Sequence, residues 1–221
     1  MARIRDSRVL GTRTLVEAVA RMETKPRVMV AASAIGFYGD RGEETLTEDS
    51  ASGTGFLAEV CREWEAASEP AGKAGVRVVH IRTGIVLSEH SGALGQMLLP
   101  FRLGLGGRLG SGRQWMSWIH VDDIVGAVRH GLSHETVRGA VNLVGPHPVT
   151  NAEFTAALGR ALSRPAILPV PAFGLRLAFG QMADEALLAS AKALPERLLA
   201  GGYEFRFPEL RGALGHILAK S

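Results

Sequence analysis

Hydrophobic positions in the first 22 residues recur at helical spacing: Ile4, Val9, Leu15, Val16, Val19 and Met22, with Arg and Glu between them. That period predicts a helix over residues 3–22, which Pro26 ends. Arg27-Val-Met-Val-Ala-Ala-Ser33 is then a short apolar, β-branched run bounded by Pro and Gly, the pattern of a buried strand. Asp40 to Gly55 is polar and reads as loop. Helical spacing returns over Phe56 to Ala71 through Leu57, Val60, Cys61 and Trp64, and Val76-Arg-Val-Val-His-Ile-Arg82 is a second strand.

This alternation predicts an α/β fold, a Rossmann-like doubly wound parallel sheet. Further on, Met97 to Gly112 is rich in Gly and carries no assignment. Trp115 to Val121 reads as extended, and Asp122 or Asp123 is expected to cap a helix bearing Ile124, Val125, Val128 and Leu132. Ala140 to Val144 is a last strand, and Thr150-Asn-Ala-Glu153 is a capping box opening another helix. After Ser163 the texture changes: Pro165, Pro169 and Pro171 lead into a helical tail with Gly and Pro breaks. The expected organisation is an α/β domain over 1–164 and a small, mostly helical domain over 165–221.

Composition narrows the class. The chain has 221 residues, 46% hydrophobic and 21% charged, enough for a folded core. Its single cysteine, Cys61, allows no internal disulfide and suits a reducing compartment. The start has no apolar segment of a secretory signal, and the nearly apolar run Val28 to Tyr38 falls far short of the ~20 residues that span a bilayer. A cytoplasmic protein with no membrane contact is expected. The basic residues are 21 Arg and 4 Lys, scattered along the chain at a net charge of +3, with no nucleic-acid-reading motif. The seven His show no ligand spacing, so no metal is expected.

Two glycine patterns resemble dinucleotide loops. Gly36-Phe-Tyr-Gly39-Asp-Arg-Gly42 follows a strand, but Glu43-Glu-Thr-Leu-Thr-Glu-Asp49 comes next, acidic and without a helical face. Gly53-Thr-Gly55-Phe-Leu-Ala58 opens a helix but lacks a strand before it. A phosphate cradle needs both neighbours, so neither qualifies.

Longer blocks carry more. Ser33-Ala-Ile-Gly-Phe-Tyr-Gly39, Arg82-Thr-Gly-Ile-Val-Leu87 and Trp118-Ile-His-Val-Asp-Asp-Ile124 resemble the extended short-chain dehydrogenase/reductases. Gly55-Phe-Leu-Ala-Glu-Val-Cys-Arg-Glu-Trp-Glu65, Met97-Leu-Leu-Pro-Phe-Arg-Leu-Gly104 and Gly110-Ser-Gly-Arg-Gln-Trp115 are similar to one atypical branch, the NAD(P)-dependent nucleoside-diphosphate-sugar epimerase family. Residues 165–215, with Phe207-Pro-Glu-Leu210, resemble that family's C-terminal domain of unknown function. The resemblance implies NADP, or NAD, as cofactor, a nucleotide-sugar-like small molecule as substrate, and a homodimer. Relative to that family, ~70 to 80 residues holding the first strand and phosphate loop are expected to be absent from this chain, leaving its cofactor site incomplete.

The family's Ser, Tyr and Lys perform the proton transfer that accompanies hydride exchange. Ser33 matches the Ser, but the Tyr-x-x-x-Lys positions fall on Phe56 and Val60, which have neither proton nor charge. Tyr38, with Arg41 expected to lower its pKa, is the candidate substitute. Arg8 and Val86 match positions associated with NADP contact. Arg102, Gln114 and Trp115 are placed near a substrate pocket by the same analogy. For His120 and Asp122 the residues favour a core histidine and a cap over substrate contact. The activity implied is that of an NADP-dependent oxidoreductase or epimerase; the alternatives are a non-catalytic NADP-binding sensor or cell-division-associated interaction protein, or an inactive fragment.

Overall fold

In the computed structural model, which describes residues 1–89 and 92–219, the opening helical period forms α1 (Ala2–Arg21), with Val9 and Val16 as its buried positions. The first strand, β1 (Val28–Ala34), runs into a 3-10 turn over Ile35–Tyr38 and a polar loop containing β2 (Thr45–Leu46). The helix expected over Phe56 to Ala71 divides into α2 (Phe56–Ala66) and α3 (Glu69–Lys73), with the Ser68 hydroxyl donating to the Glu65 carbonyl at the break.

From Arg77 the chain runs as β3 (Arg77–Thr83) and β4 (Ile85–Leu87), with Gly84 between them. A Cβ at Gly84 would lie 2.3 Å from the Ser117 carbonyl oxygen. Glycine thus lets the strand change partners within one residue. The stretch left unassigned contains α4 (Gly92–Arg102), followed by β5 (Trp115–Met116), β6 (Trp118–His120), α5 (Val121–Ser133), β7 (Gly139–Leu143) and β8 (Val149–Thr150). The α5 cap differs from expectation. It is His120, whose Nδ1 accepts from the Asp122 amide at 3.0 Å, while Asp122 and Asp123 occupy the first turn. The capping box at Thr150 and Glu153 does open α6 (Asn151–Ala161).

The remainder comprises α7 (Ala172–Phe179), a π turn over Ala183–Leu187, β9 (Lys192–Ala193), α8 (Glu196–Ala200) and α9 (Leu210–Leu218). β1, β3 and β7 form a parallel sheet in the order β1-β3-β7, and β4 pairs in parallel with β6. Helices α1, α2 and α3 pack on one face, where Met29 and Val78 meet Val16 and Ala71. On the other face Val30, Val79, Ile81 and Val141 meet Ile124 and Ala127 of α5. β1 was read as buried, yet its Ala32 is exposed, and among the described residues β1 pairs on one side only.

Residue 164 does not separate two cores. Leu210, Leu214 and Ile217 of α9 share a hydrophobic cluster with Leu87, Trp118 and Phe154. β9 also pairs in parallel with β2, and the Ser117 hydroxyl reaches the Ala191 carbonyl at 2.7 Å. The C-terminal segment therefore closes the first portion's core instead of standing beside it.

Candidate functional site

The C-terminal ends of parallel strands are where an α/β sheet places its ligand chemistry. Here those ends carry a row of polar residues in register, Ser33 on β1, Arg82 on β3 and Asn142 on β7. All three are buried, so each must find a partner. Arg82 makes a two-pronged ion pair with Glu65 of α2, both contacts at 2.9 Å. Ser33 donates to the same carboxylate at 2.6 Å and also lies within hydrogen-bonding reach of the Cys61 thiol, whose pKa burial pushes up.

Tyr38 is fully buried at the centre of this network. Its oxygen accepts from Arg82 at 3.0 Å, and its proton lies between Asn142 Oδ1 at 2.7 Å and the Thr47 carbonyl at 2.9 Å. Arg41, expected to lower its pKa, instead pairs with Glu44, and burial raises the Tyr38 pKa despite the Arg82 cation. The Arg82 guanidinium also stacks 3.5 Å from the Phe37 ring centroid. Behind Asn142, Glu48 Oε1 accepts from the Asn142 amide at 2.9 Å, while Oε2 is buried without a partner. Burial raises the Glu48 pKa accordingly.

Phe56 and Val60 lie on α2, Val60 buried and Phe56 half-buried. The α2 amino terminus follows Gly53-Thr-Gly55, and it already holds an anion: the Glu185 carboxylate accepts from the Leu57 amide at 2.7 Å and the Phe56 amide at 3.0 Å. A phosphate at these amides would have to displace it.

Arg8 is half-buried on α1, its guanidinium 5.4 Å from the Trp64 ring and donating to the Ile4 carbonyl. Val86 is half-buried on β4, in register with Ile119, and a Cβ at Gly92 would stand 3.6 Å from its carbonyl oxygen. Residues placed near a substrate by analogy have local partners. The buried Gln114 amide donates to the Leu109 and Leu187 carbonyls, the Trp115 indole to Glu43, and Arg102 to Glu89.

Sequence reasoning missed Glu65, Arg82 as a side chain, Asn142 and Glu185. A buried Arg in a strand was the available signal for the first three, since it demands a carboxylate partner.

One further cluster joins the β6–α5 junction to α9. His120, Asp122 and His216 bring their ligand atoms within 4.8 Å of one another, and His120 Nε2 stands 3.2 Å from His216 Nδ1. Because His120 Nδ1 accepts the helix cap, its Nε2 carries the proton and donates to His216. A metal on Nε2 would force a proton onto Nδ1, against the Asp122 N–H. This donor set does not fit a metal while the cap stands.

A parallel sheet with helices on both faces and its polar groups at the strand ends defines a Rossmann-like α/β protein. The chain belongs to the NAD dependent epimerase/dehydratase family, whose model matches residues 2–145, and a domain of unknown function (DUF1731) matches residues 170–217. It is 46% identical over 213 residues to the epimerase family protein Mb2239 of Mycobacterium bovis, covering 96% of this chain and 70% of that protein. Among solved structures it is similar to the human epimerase family protein SDR39U1 (isoform 2) with NADPH, at 38% identity and a TM-score of 0.94, covering 98% of this chain and 74% of that one. It is also similar to the nucleoside-diphosphate sugar epimerase from Corynebacterium glutamicum, at 39% identity and a TM-score of 0.81, covering 100% of this chain and 43% of that one. No helix among the described residues is long and apolar enough to cross a membrane.

Proposed function

We propose that the chain forms the nicotinamide and substrate side of an NADP(H)-dependent oxidoreductase or epimerase acting on a small, nucleotide-sugar-like molecule. The observation that carries this is the overlap, at a TM-score of 0.94, with a relative crystallised with NADPH. The fit is one-sided. Val86 in β4 matches the strand-end position where a flat nicotinamide ring would lie, and Arg8 offers a cation near the Ser33–Cys61 end of β1. The pyrophosphate finds no glycine-rich cradle among the described residues, and Glu185 occupies the α2 amides.

When bound, the cofactor supplies hydride exchange; this chain's residues supply orientation. Ser33 marks the strand end beside the substrate. Its proton points to Glu65, so it presents lone pairs to a substrate hydroxyl instead of a proton to a carbonyl. Tyr38, the candidate proton donor, acts as a positioning residue that fixes Arg82 and Asn142. A cytoplasmic setting and a homodimer belong to the same reading, the first supported by the lone unpaired Cys61.

Following NADPH oxidation at 340 nm with carbonyl compounds, and NADP reduction with sugar alcohols and nucleotide sugars, tests the proposal. Turnover of one such substrate supports it. NADPH binding without turnover across the panel favours the second reading, a non-catalytic NADP-binding protein. That reading is favoured by Phe56 and Val60 and by the committed Ser33 proton. Activity gained in Phe56→Tyr/Val60→Lys would show that only the proton-transfer pair is missing.

A further inference from the structure

We propose that a groove at the opposite end of the sheet binds a small molecule carrying two or more phosphates. It has a volume of about 790 Å³, within the ~300–1,000 Å³ typical of small-molecule sites, and lies between α3, the start of β3 and β7. Its walls carry Lys73, Arg77, Arg138 and Arg197 against one carboxylate, Glu69. A second cavity of about 410 Å³ shares Arg77 and Arg138 and adds Arg27 and Glu135. Five cations therefore face two lining carboxylates and the neighbouring Asp49, with Arg27 held by Glu135 at 2.8 Å and Arg197 by Asp49 at 2.7 Å.

The partners of these cations show why the excess is not cancelled. Arg77 spends its donors on the Gly131, Leu132 and Val137 carbonyls at the end of α5. Arg138 donates to the Glu135 carbonyl. Both are neutral acceptors, so both charges remain unpaired by an anion. Lys73 is 79% exposed with Glu69 a distant 4.0 Å away, and Arg197 reaches an Asp49 that is 82% exposed. Exposed pairs of this kind hold weakly and yield to a competing anion.

The floor suits a compact ligand. Val76 and Val78 of the β3 region provide an apolar base, and a Cβ at Gly75 would meet nothing within 4 Å, so a ligand can approach the backbone there. Lys73 of α3, Arg77 of β3, Arg138 just before β7 and Arg197 of α8 line one space, an arrangement that recognises multiple phosphate oxygens better than a single carboxylate. The groove lies at the opposite strand ends from Ser33, Arg82 and Asn142 and does not depend on the function proposed above.

Isothermal titration of the full chain with inorganic triphosphate, in low-salt buffer and with saturating NADPH present, is the test. Saturable one-to-one binding is expected, weakened at least tenfold by Lys73→Glu/Arg138→Glu and by raising salt from 20 to 200 mM. Both substituted side chains are exposed and lightly bonded, so unchanged unfolding of that variant is expected, and Arg13→Glu/Arg21→Glu on α1 controls for the same change of net charge. Absence of saturable binding, binding indifferent to the paired substitution, or binding that occurs only when NADPH is left out would each overturn the proposal.

Discussion

Replacing Arg82 by Met keeps the aliphatic stem and removes the guanidinium from the centre of the candidate site. The structure sets the size of the effect. Two 2.9 Å contacts to Glu65 and one of 3.0 Å to Tyr38 disappear, and Glu65, itself largely buried, keeps only the Ser33 proton. Removing one member of a buried ion pair costs about 3–5 kcal/mol, because the remaining charge stays out of water. That is a large share of the ~5–15 kcal/mol that holds a domain together. Glu65→Leu should cost a similar amount, for the Arg82 cation is then stranded. The double variant Arg82→Met/Glu65→Leu should lose far less than the sum, about 1–2 kcal/mol, since an apolar pair replaces the ionic one. Urea unfolding followed by tryptophan fluorescence measures all three, with Trp64 on α2 as a nearby reporter. A cost below about 1 kcal/mol for Arg82→Met, or additive losses in the double variant, would refute the reasoning that this pair organises the site.

Other expectations follow from single features. Asp123→Asn should destabilise by about 2–3 kcal/mol and make residues 203–219 the first to be cut by protease, because Asp123 accepts from the Arg206 and Phe207 amides and the Tyr203 hydroxyl. Burial lowers the pKa of His80, His120 and His130 below 6.5, so the unfolded chain binds protons first as pH falls. The unfolding free energy from urea titration should therefore drop between pH 7.5 and 5.5, by up to about 1.4 kcal/mol per pH unit for each histidine. Glu48 has the opposite sign, its folded pKa raised above 4.5, so Glu48→Gln should stabilise the chain at pH 7.5 and lose that advantage towards pH 4.5 in the same unfolding assay. Gly84→Ala should cost about 3 kcal/mol in thermal unfolding, for its Cβ would press on the Ser117 backbone.

The parts of the fold that were legible are those where side-chain period and cap chemistry agree. The period of α1, the apolar runs of β1 and β3 and the capping box of α6 each specify their element locally. The α4 helix was hidden because Gly92, Gly95 and Pro100 dilute its pattern, and its stability comes from Leu94, Leu98 and Phe101 in a core shared with α9. The cap of α5 was misplaced because an imidazole nitrogen can do the work of a carboxylate when its tautomer allows.

At the site, Ser33 could be found from its strand end. Its partner Glu65 lies 32 residues away and Arg82 another 17; the β1–β3 register sets Ser33 beside Arg82, and the packing of α2 on β1 brings Glu65 to both. For Tyr38 the residues allow either a substitute proton donor or an aromatic packed under the loop, and sequence gives no sign that Arg82, Thr47 and Asn142 enclose its hydroxyl.

Saturation-transfer difference NMR with NADP(H) would show most directly which half of the cofactor this chain contacts. The account predicts strong transfer to the nicotinamide protons, little to the adenine protons, and loss of the nicotinamide signal in Val86→Asp. Transfer confined to the adenine, or nicotinamide transfer unchanged by Val86→Asp, would contradict it.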